Sequence, residues 1–126
     1  MRFIGMLGVV LGAGIGGGLR YALGGWMAER WGTSFPWHTL VINVSGAFLL
    51  GVLMAVSAER SLVSPTMRLV LGVGVLGGFT TFSTLSYESI ALLERGLVVQ
   101  AAGNVLGSAA LGLVAVALGL AVGRAL

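Results

Sequence analysis

Four long apolar stretches, roughly residues 3–27, 39–57, 67–93 and 97–122, take up most of this 126-residue chain. Each is near the length that crosses a bilayer as a helix, for which about 20 apolar residues suffice. Only 9% of the residues are charged and 57% are hydrophobic. In water such a chain would show one continuous apolar surface, so no soluble fold of this size fits. The expectation is an all-α membrane protein: a single transmembrane domain over residues 1–126 with four spanning helices and short loops. Cysteine is absent, which excludes disulfides and thiolate metal sites. The apolar run after Arg2 continues to Arg20, too long for the core of a cleavable signal.

The third stretch is unlike the others. Residues 74–88 read GVLGGFTTFSTLSYE, with Thr80, Thr81, Ser83, Thr84 and Ser86 interleaved with Phe79 and Phe82. Gly77-Gly78 weakens a helix where these hydroxyls begin. The third helix is therefore expected to break near residues 77–81, at mid-membrane. Unwound backbone in a bilayer costs several kcal/mol per unpaired group. The last carbonyls of the first half-helix suit a hard cation such as sodium, and the amides opening the second half attract anions. The plainer alternative is a packing kink whose hydroxyls satisfy the freed groups.

Other polar residues inside the spans carry two readings each. Arg20, about two turns from the end of helix one, either snorkels outward or faces a water-filled vestibule. Asn43 in helix two is either an interhelical clasp or a lining group of a path. Phe82 is either a packing residue or a ring whose electropositive edge favours a small anion; one turn later on the same face stands Leu85. Asn43, Ser83, Thr84, Asn104 and Ser108 can all donate to a partly dehydrated anion. His38, with no second imidazole or carboxylate at ligand spacing in the sequence, reads as an interfacial polar residue among the tryptophans Trp26, Trp31 and Trp37.

Two small-residue faces are expected to bring helices close together: Gly8, Gly12 and Gly16, with Gly14 and Gly18, in helix one, and Gly103, Gly107 and Ala110 in helix four. With both termini on one side, that side holds Arg2, Arg60, Arg68 and Arg124, and the other holds Arg30 and Arg95, plus Arg20 if it snorkels. Orientation in a membrane follows an excess of Lys and Arg on one side. Near-balance permits insertion both ways, and two opposite copies can then pair about an axis in the membrane plane. No enzyme constellation is present: the sequence has no paired carboxylates, no nucleophile–base set beyond the lone His38, no phosphate loop and no metal-ligand spacing.

Taken together, these residues resemble the Fluc (CrcB) family of bacterial fluoride channels. The likeness runs over the whole chain: Gly12, Gly16, Gly17, Arg20 and Tyr21 in helix one, TLVINVSGAFLLG from Thr39 to Gly51, and GGFTTFST from Gly77 to Thr84. The resemblance implies an antiparallel dual-topology homodimer in the bacterial inner membrane, with two fluoride pores along its subunit boundary. It also implies a central structural sodium ion held by the backbone carbonyls of Gly77 and Thr80 from both subunits. The family's pore asparagine falls on Asn43, its first pore phenylalanine on Phe82 and its vestibule arginine on Arg20. Its hydroxyl track falls on Ser83, Thr84 and Ser108, and its acidic residue after the motif on Glu88. Two positions depart: the second pore phenylalanine falls on Leu85, and Gly112 stands where some relatives carry a hydroxyl.

The function implied is passive export of cytoplasmic fluoride. The alternative is a small four-helix proton-coupled multidrug exporter, which needs a membrane-embedded carboxylate; helix one has no acidic residue before Glu29, and Glu88 lies in a different helix from that family's. A non-transporting scaffold would explain the glycines but not the hydroxyl cluster.

Overall fold

The computed structural model describes residues 2–126, and every element among them is helical. Helix α1 runs Arg2–Trp31 and α2 Trp37–Glu59. The third span is α3, residues 65–79, followed by α4, Phe82–Glu94. The last helix, α5, is Val98–Ala125. The spans outrun their apolar cores because helix persists into the charged flanks until a local signal stops it. Gly32, at φ +77°, ends α1, and Gly96, at φ +75°, turns the chain out of α4; both conformations suit a residue without Cβ. Pro36 precedes α2, and Pro65 opens α3 behind a Ser64 cap that accepts from the Met67 N–H at 3.1 Å.

Most of α3 is wound as a π-helix over Leu69–Leu76. Its bonding closes at Gly77, whose N–H is shared between the carbonyls of Gly72 and Gly74. Neither α3 nor α4, each about 20 Å long at 1.5 Å per residue, crosses the ~30 Å hydrocarbon core alone.

The bundle is assembled as two tight helix pairs. In the first, α1 lies against α3 with the backbones touching: a Cβ on Gly16 would stand 2.0 Å from Val75 O, and one on Gly78 2.4 Å from Ala13 O. In the second, α2 meets α5 through Gly51 and Gly119, where a Cβ would fall 2.5 Å from Val116 O and 2.2 Å from Phe48 O respectively. Lipid supplies no hydrophobic drive between helices, so close backbone contact takes its place. The small-residue face expected on helix four is therefore displaced. Gly103 and Gly107 have nothing within 4 Å, and the glycines that pack are Gly119 and Gly123 nearer the C-terminus. The N-terminal half of α5 turns Ala101, Asn104 and Ser108 inward instead. On α1, likewise, Gly12 and Gly16 pack while Gly14 and Gly18 face open space.

Little is buried inside one chain. Met27, Ile42 and Phe79 form a small cluster joining α1, α2 and α3, and large apolar side chains cover the outside, as a bilayer solvent requires. Gly5 and Gly8 of α1 stand beside Leu69 and Val70, and Arg124 Nε pairs with Glu59 Oε1 at 2.9 Å. These contacts gather Arg2, Arg60, Arg68 and Arg124 at one end of the bundle. Arg30, stacked 4.6 Å over Trp26, and Arg95 mark the other.

Candidate functional site at the interrupted third span

The third span stops at Phe79 and resumes at Phe82. Between them Thr80 (φ −86°, ψ 156°) and Thr81 (φ −150°, ψ 116°) are extended. The interruption thus falls after the glycine pair that was expected to cause it. Gly77 stays helical (φ −64°, ψ −37°), and Gly78 is small because the backbone of Ala13 lies against it. What opens the helix is a set of competing hydrogen bonds.

Asn43 supplies the first of these. Its Nδ2 donates to Thr81 O at 3.0 Å, and its Oδ1 accepts the Thr81 N–H at 2.7 Å. One amide thus serves both backbone groups of one residue, as a neighbouring strand would. That N–H would otherwise close the next helical turn on Gly77 O. Thr81 then caps α4, its Oγ1 accepting from Thr84 N at 3.2 Å. Thr80 lies one residue outside this cap, so its carbonyl has no donor from α4 either. The carbonyls of Gly77 and Thr80 are left over by the geometry of the break.

Arg20 adds a positive charge at the same place. Half-buried on α1, it turns toward the break and donates from Nε to Gly78 O at 3.1 Å. A guanidinium there offsets the negative dipole end of α3. Thr80 bonds back onto its own helix, Oγ1 to Leu76 O at 2.9 Å. Ser83 and Thr84 gather around Thr81, whose Oγ1 donates to Thr84 Oγ1 at 2.9 Å and lies 3.2 Å from Ser83 Oγ, while Ser86 Oγ donates back to Phe82 O at 2.9 Å.

Two cavities meet at the break. One, of about 320 Å³, is lined by Asn43, Gly46, Gly77, Thr80, Thr81, Phe82 and Leu85. The Phe82 ring at its rim is 81% exposed, whereas Leu85 is half-buried. The other, of about 510 Å³, is lined by Arg20, Tyr21, His38, Thr39, Thr81 and Thr84. Thr81 belongs to both walls. Of the residues singled out from sequence, the structure brings together Arg20, Asn43, Gly77, Thr80, Phe82, Ser83, Thr84 and Leu85. Ser108 is placed elsewhere, buried on α5 with its Oγ unpartnered, and lines neither cavity. Beside it Asn104, 1% exposed, donates from Nδ2 to Ser89 Oγ at 3.0 Å.

One constellation was invisible in the sequence. The Thr39 hydroxyl donates to Glu88 Oε1 at 2.5 Å, and His38 Nε2 lies 4.0 Å from the same oxygen. His38 therefore has a carboxylate neighbour, fifty positions away in the chain. The one available signal was that Thr39 precedes Asn43 by four residues, which puts both on the face of α2 that meets the third span. Among the described residues no three His, Cys, Asp or Glu side chains gather.

Comparison with known proteins agrees with the geometry. The family described as CrcB-like protein, Camphor Resistance (CrcB), matches residues 7–120. The chain is 50% identical over 118 residues to the fluoride-specific ion channel FluC of Thermus thermophilus, covering 94% of this chain and 92% of that one. It is 45% identical over 119 residues to the FluC of Chloroflexus aurantiacus, covering 94% of each. It is also 45% identical over 121 residues to that of a Roseiflexus species, with 96% and 98% covered. Four apolar spans and this kinship make it a multi-pass protein of the bacterial inner membrane. With the match spanning nearly its whole length and the interrupted third span in place, the chain belongs to the CrcB family.

Proposed function

We propose that this chain is a fluoride-selective channel that exports cytoplasmic fluoride passively, working as an antiparallel homodimer with two pores and a central sodium ion. It is a channel and not an enzyme, in keeping with the relatives' description as fluoride-specific ion channels. The observation that carries the reading is the Asn43 clamp on Thr81, which holds the span open beside the exposed Phe82.

The chemistry follows from what each group can offer. Asn43 spends one Nδ2 hydrogen on Thr81 O and keeps the other for the cavity it lines. Hydroxyls of Ser83 and Thr84 supply further donors, and Arg20 gives the adjoining cavity a fixed positive charge. Fluoride accepts hydrogen bonds more strongly than chloride and is smaller, so donors at close quarters favour it. Fluoride enters cells as its neutral acid and dissociates inside. An inside-negative potential then drives the anion outward with about 2.3 kcal/mol per charge per 100 mV. No coupled ion is needed.

The near-balance of arginines at the two ends supports insertion in both orientations. An opposed copy would cover the cavity that holds the break and the Phe82 rim. The carbonyls of Gly77 and Thr80, without helical donors, fit a hard cation that prefers oxygen ligands. When bound, sodium would supply a fixed charge tying two breaks together. The dimer's thermal midpoint is then expected to be higher in sodium than in a bulky organic cation; saturation at about 100 times Kd adds about 2.7 kcal/mol. Equal midpoints would remove sodium from the proposal.

Purified protein in liposomes tests the whole. Fluoride should leave on discharge of the potential while chloride stays, and no fluoride flux would refute the channel. Phe82→Ile removes the electropositive ring edge and should slow fluoride flux measurably. Unchanged flux would make Phe82 a mere surface residue.

A further inference from the structure

We propose that His38 is a positioning residue that acts through Glu88, so that conduction rises as pH falls. The inference rests on the channel reading above and concerns a third cavity, beyond the break, whose wall includes His38, Thr84, Tyr87, Glu88 and Arg95. Thr84 also lines the Arg20 cavity, so an anion leaving the break along that wall passes Glu88 next.

Glu88 is the only acidic residue away from a helix end; Glu29, Glu59 and Glu94 all lie at termini. Its carboxylate is underserved for such a place. Thr39 donates to Oε1, while Oε2 is buried with no partner. An ionised carboxylate with one idle oxygen repels a passing anion. His38 is the neighbour that can change this. Its Nε2 stands 4.0 Å from Oε1, beyond hydrogen-bond reach, and its Nδ1 is buried and unpartnered. Both side chains are mostly covered, with 24% of His38 and 17% of Glu88 exposed.

On gaining a proton, the imidazole becomes a donor at both nitrogens and a cation beside the carboxylate. A short movement then closes the 4.0 Å gap, draws Glu88 toward α2 and cancels its charge. The other ionisable groups facing this pair are Arg20 and Tyr21 from α1, and Tyr87 and Arg95 from α4. Helix α5 brings no charge here, since its sole ionisable side chain, Arg124, is at the opposite end. The device matches the load: acid conditions are those that fill a cell with fluoride.

The test is fluoride efflux from liposomes with the same pH on both sides, at about pH 7.5 and about pH 5.5, which bracket the ordinary histidine range. Leak from protein-free liposomes is subtracted at each pH. Wild-type flux should rise about threefold on acidification, as expected for removing one solvent-screened charge near the path. His38→Gln should stay at the neutral-pH rate throughout. Glu88→Gln should be fast at both pH values, and so should the double variant, which separates an electrostatic role from a structural one. A wild-type flux independent of pH, or a His38→Gln flux that keeps the wild-type rise, overturns the inference while leaving the channel standing. No flux from any variant at any pH overturns the channel reading, and this inference with it.

Discussion

Replacing Asn43 with aspartate should all but abolish fluoride flux, by about a thousandfold. The substitution keeps the shape and removes both N–H donors. Thr81 O loses its partner and faces an oxygen instead, and the cavity gains a negative charge where an anion must pass. A like charge at about 4 Å, at an effective dielectric near 20, costs about 4 kcal/mol, or roughly three decades in rate. The leftover backbone carbonyl adds about 1–3 kcal/mol of destabilisation to the break. Efflux assays on monodisperse protein check the rate. Near-normal flux would show that the clamp is only a brace. Asn43→Ser, which is small, neutral and still a donor, should fall between the two.

Gly16→Val should have the largest effect on folding. A Cβ at this position would lie 2.0 Å from Val75 O and another backbone atom, Phe79 N, is only 2.8 Å away. Neither neighbour is the yielding tip of a side chain. The two helix backbones must part by more than an ångström, and overpacking of even ordinary cores costs about 1–3 kcal/mol. Because Phe79 is the last residue before the break, the movement is delivered straight to Thr80 and Thr81. The expected result is failure to recover monodisperse protein from detergent. Gly18→Val, with nothing within 4 Å, serves as the control for the isolated chain. Equal yields from the two variants would mean that α1 and α3 do not meet as described.

The four spans were legible because hydropathy alone decides them: a 28-residue apolar helix such as α5 has no soluble alternative. The interruption was legible as a region but not as a position. Gly77-Gly78 was the visible weakness, yet the helix ends at Thr80 because Asn43, some 38 residues earlier, takes the Thr81 N–H. A bond of that sequence separation leaves no local signal. The packing face of α5 was misplaced for a related reason. Gly103 and Gly107 match the small-residue spacing as well as Gly119 and Gly123 do, and only the position of Gly51 on α2 decides between them. Arg20 and Asn43 each carried two readings, and the partner each finds at the break, Gly78 O for the first and Thr81 for the second, was announced by no local pattern. For the pairing of Thr39 and His38 with Glu88 the spacing of Thr39 and Asn43 gave only a shared face, because the partner depends on how far α4 is rotated after the break.

That rotation has an unexpected source in the π-wound segment Leu69–Leu76. Bonds from i to i+5 spend more residues on each turn than an ordinary helix does, so the segment stores surplus length and sets the angular phase of all that follows. Rewinding one of its turns as α-helix, with no residue removed, would swing Thr80, Thr81 and Phe82 around the span axis. A one-residue deletion within it is therefore expected to be absorbed as an ordinary α-turn with Phe82 kept in phase, whereas the same deletion between Gly77 and Thr80 has no surplus to draw on and turns the aromatic rim onto another wall. The chain's aim is held upstream of the residues that do the aiming.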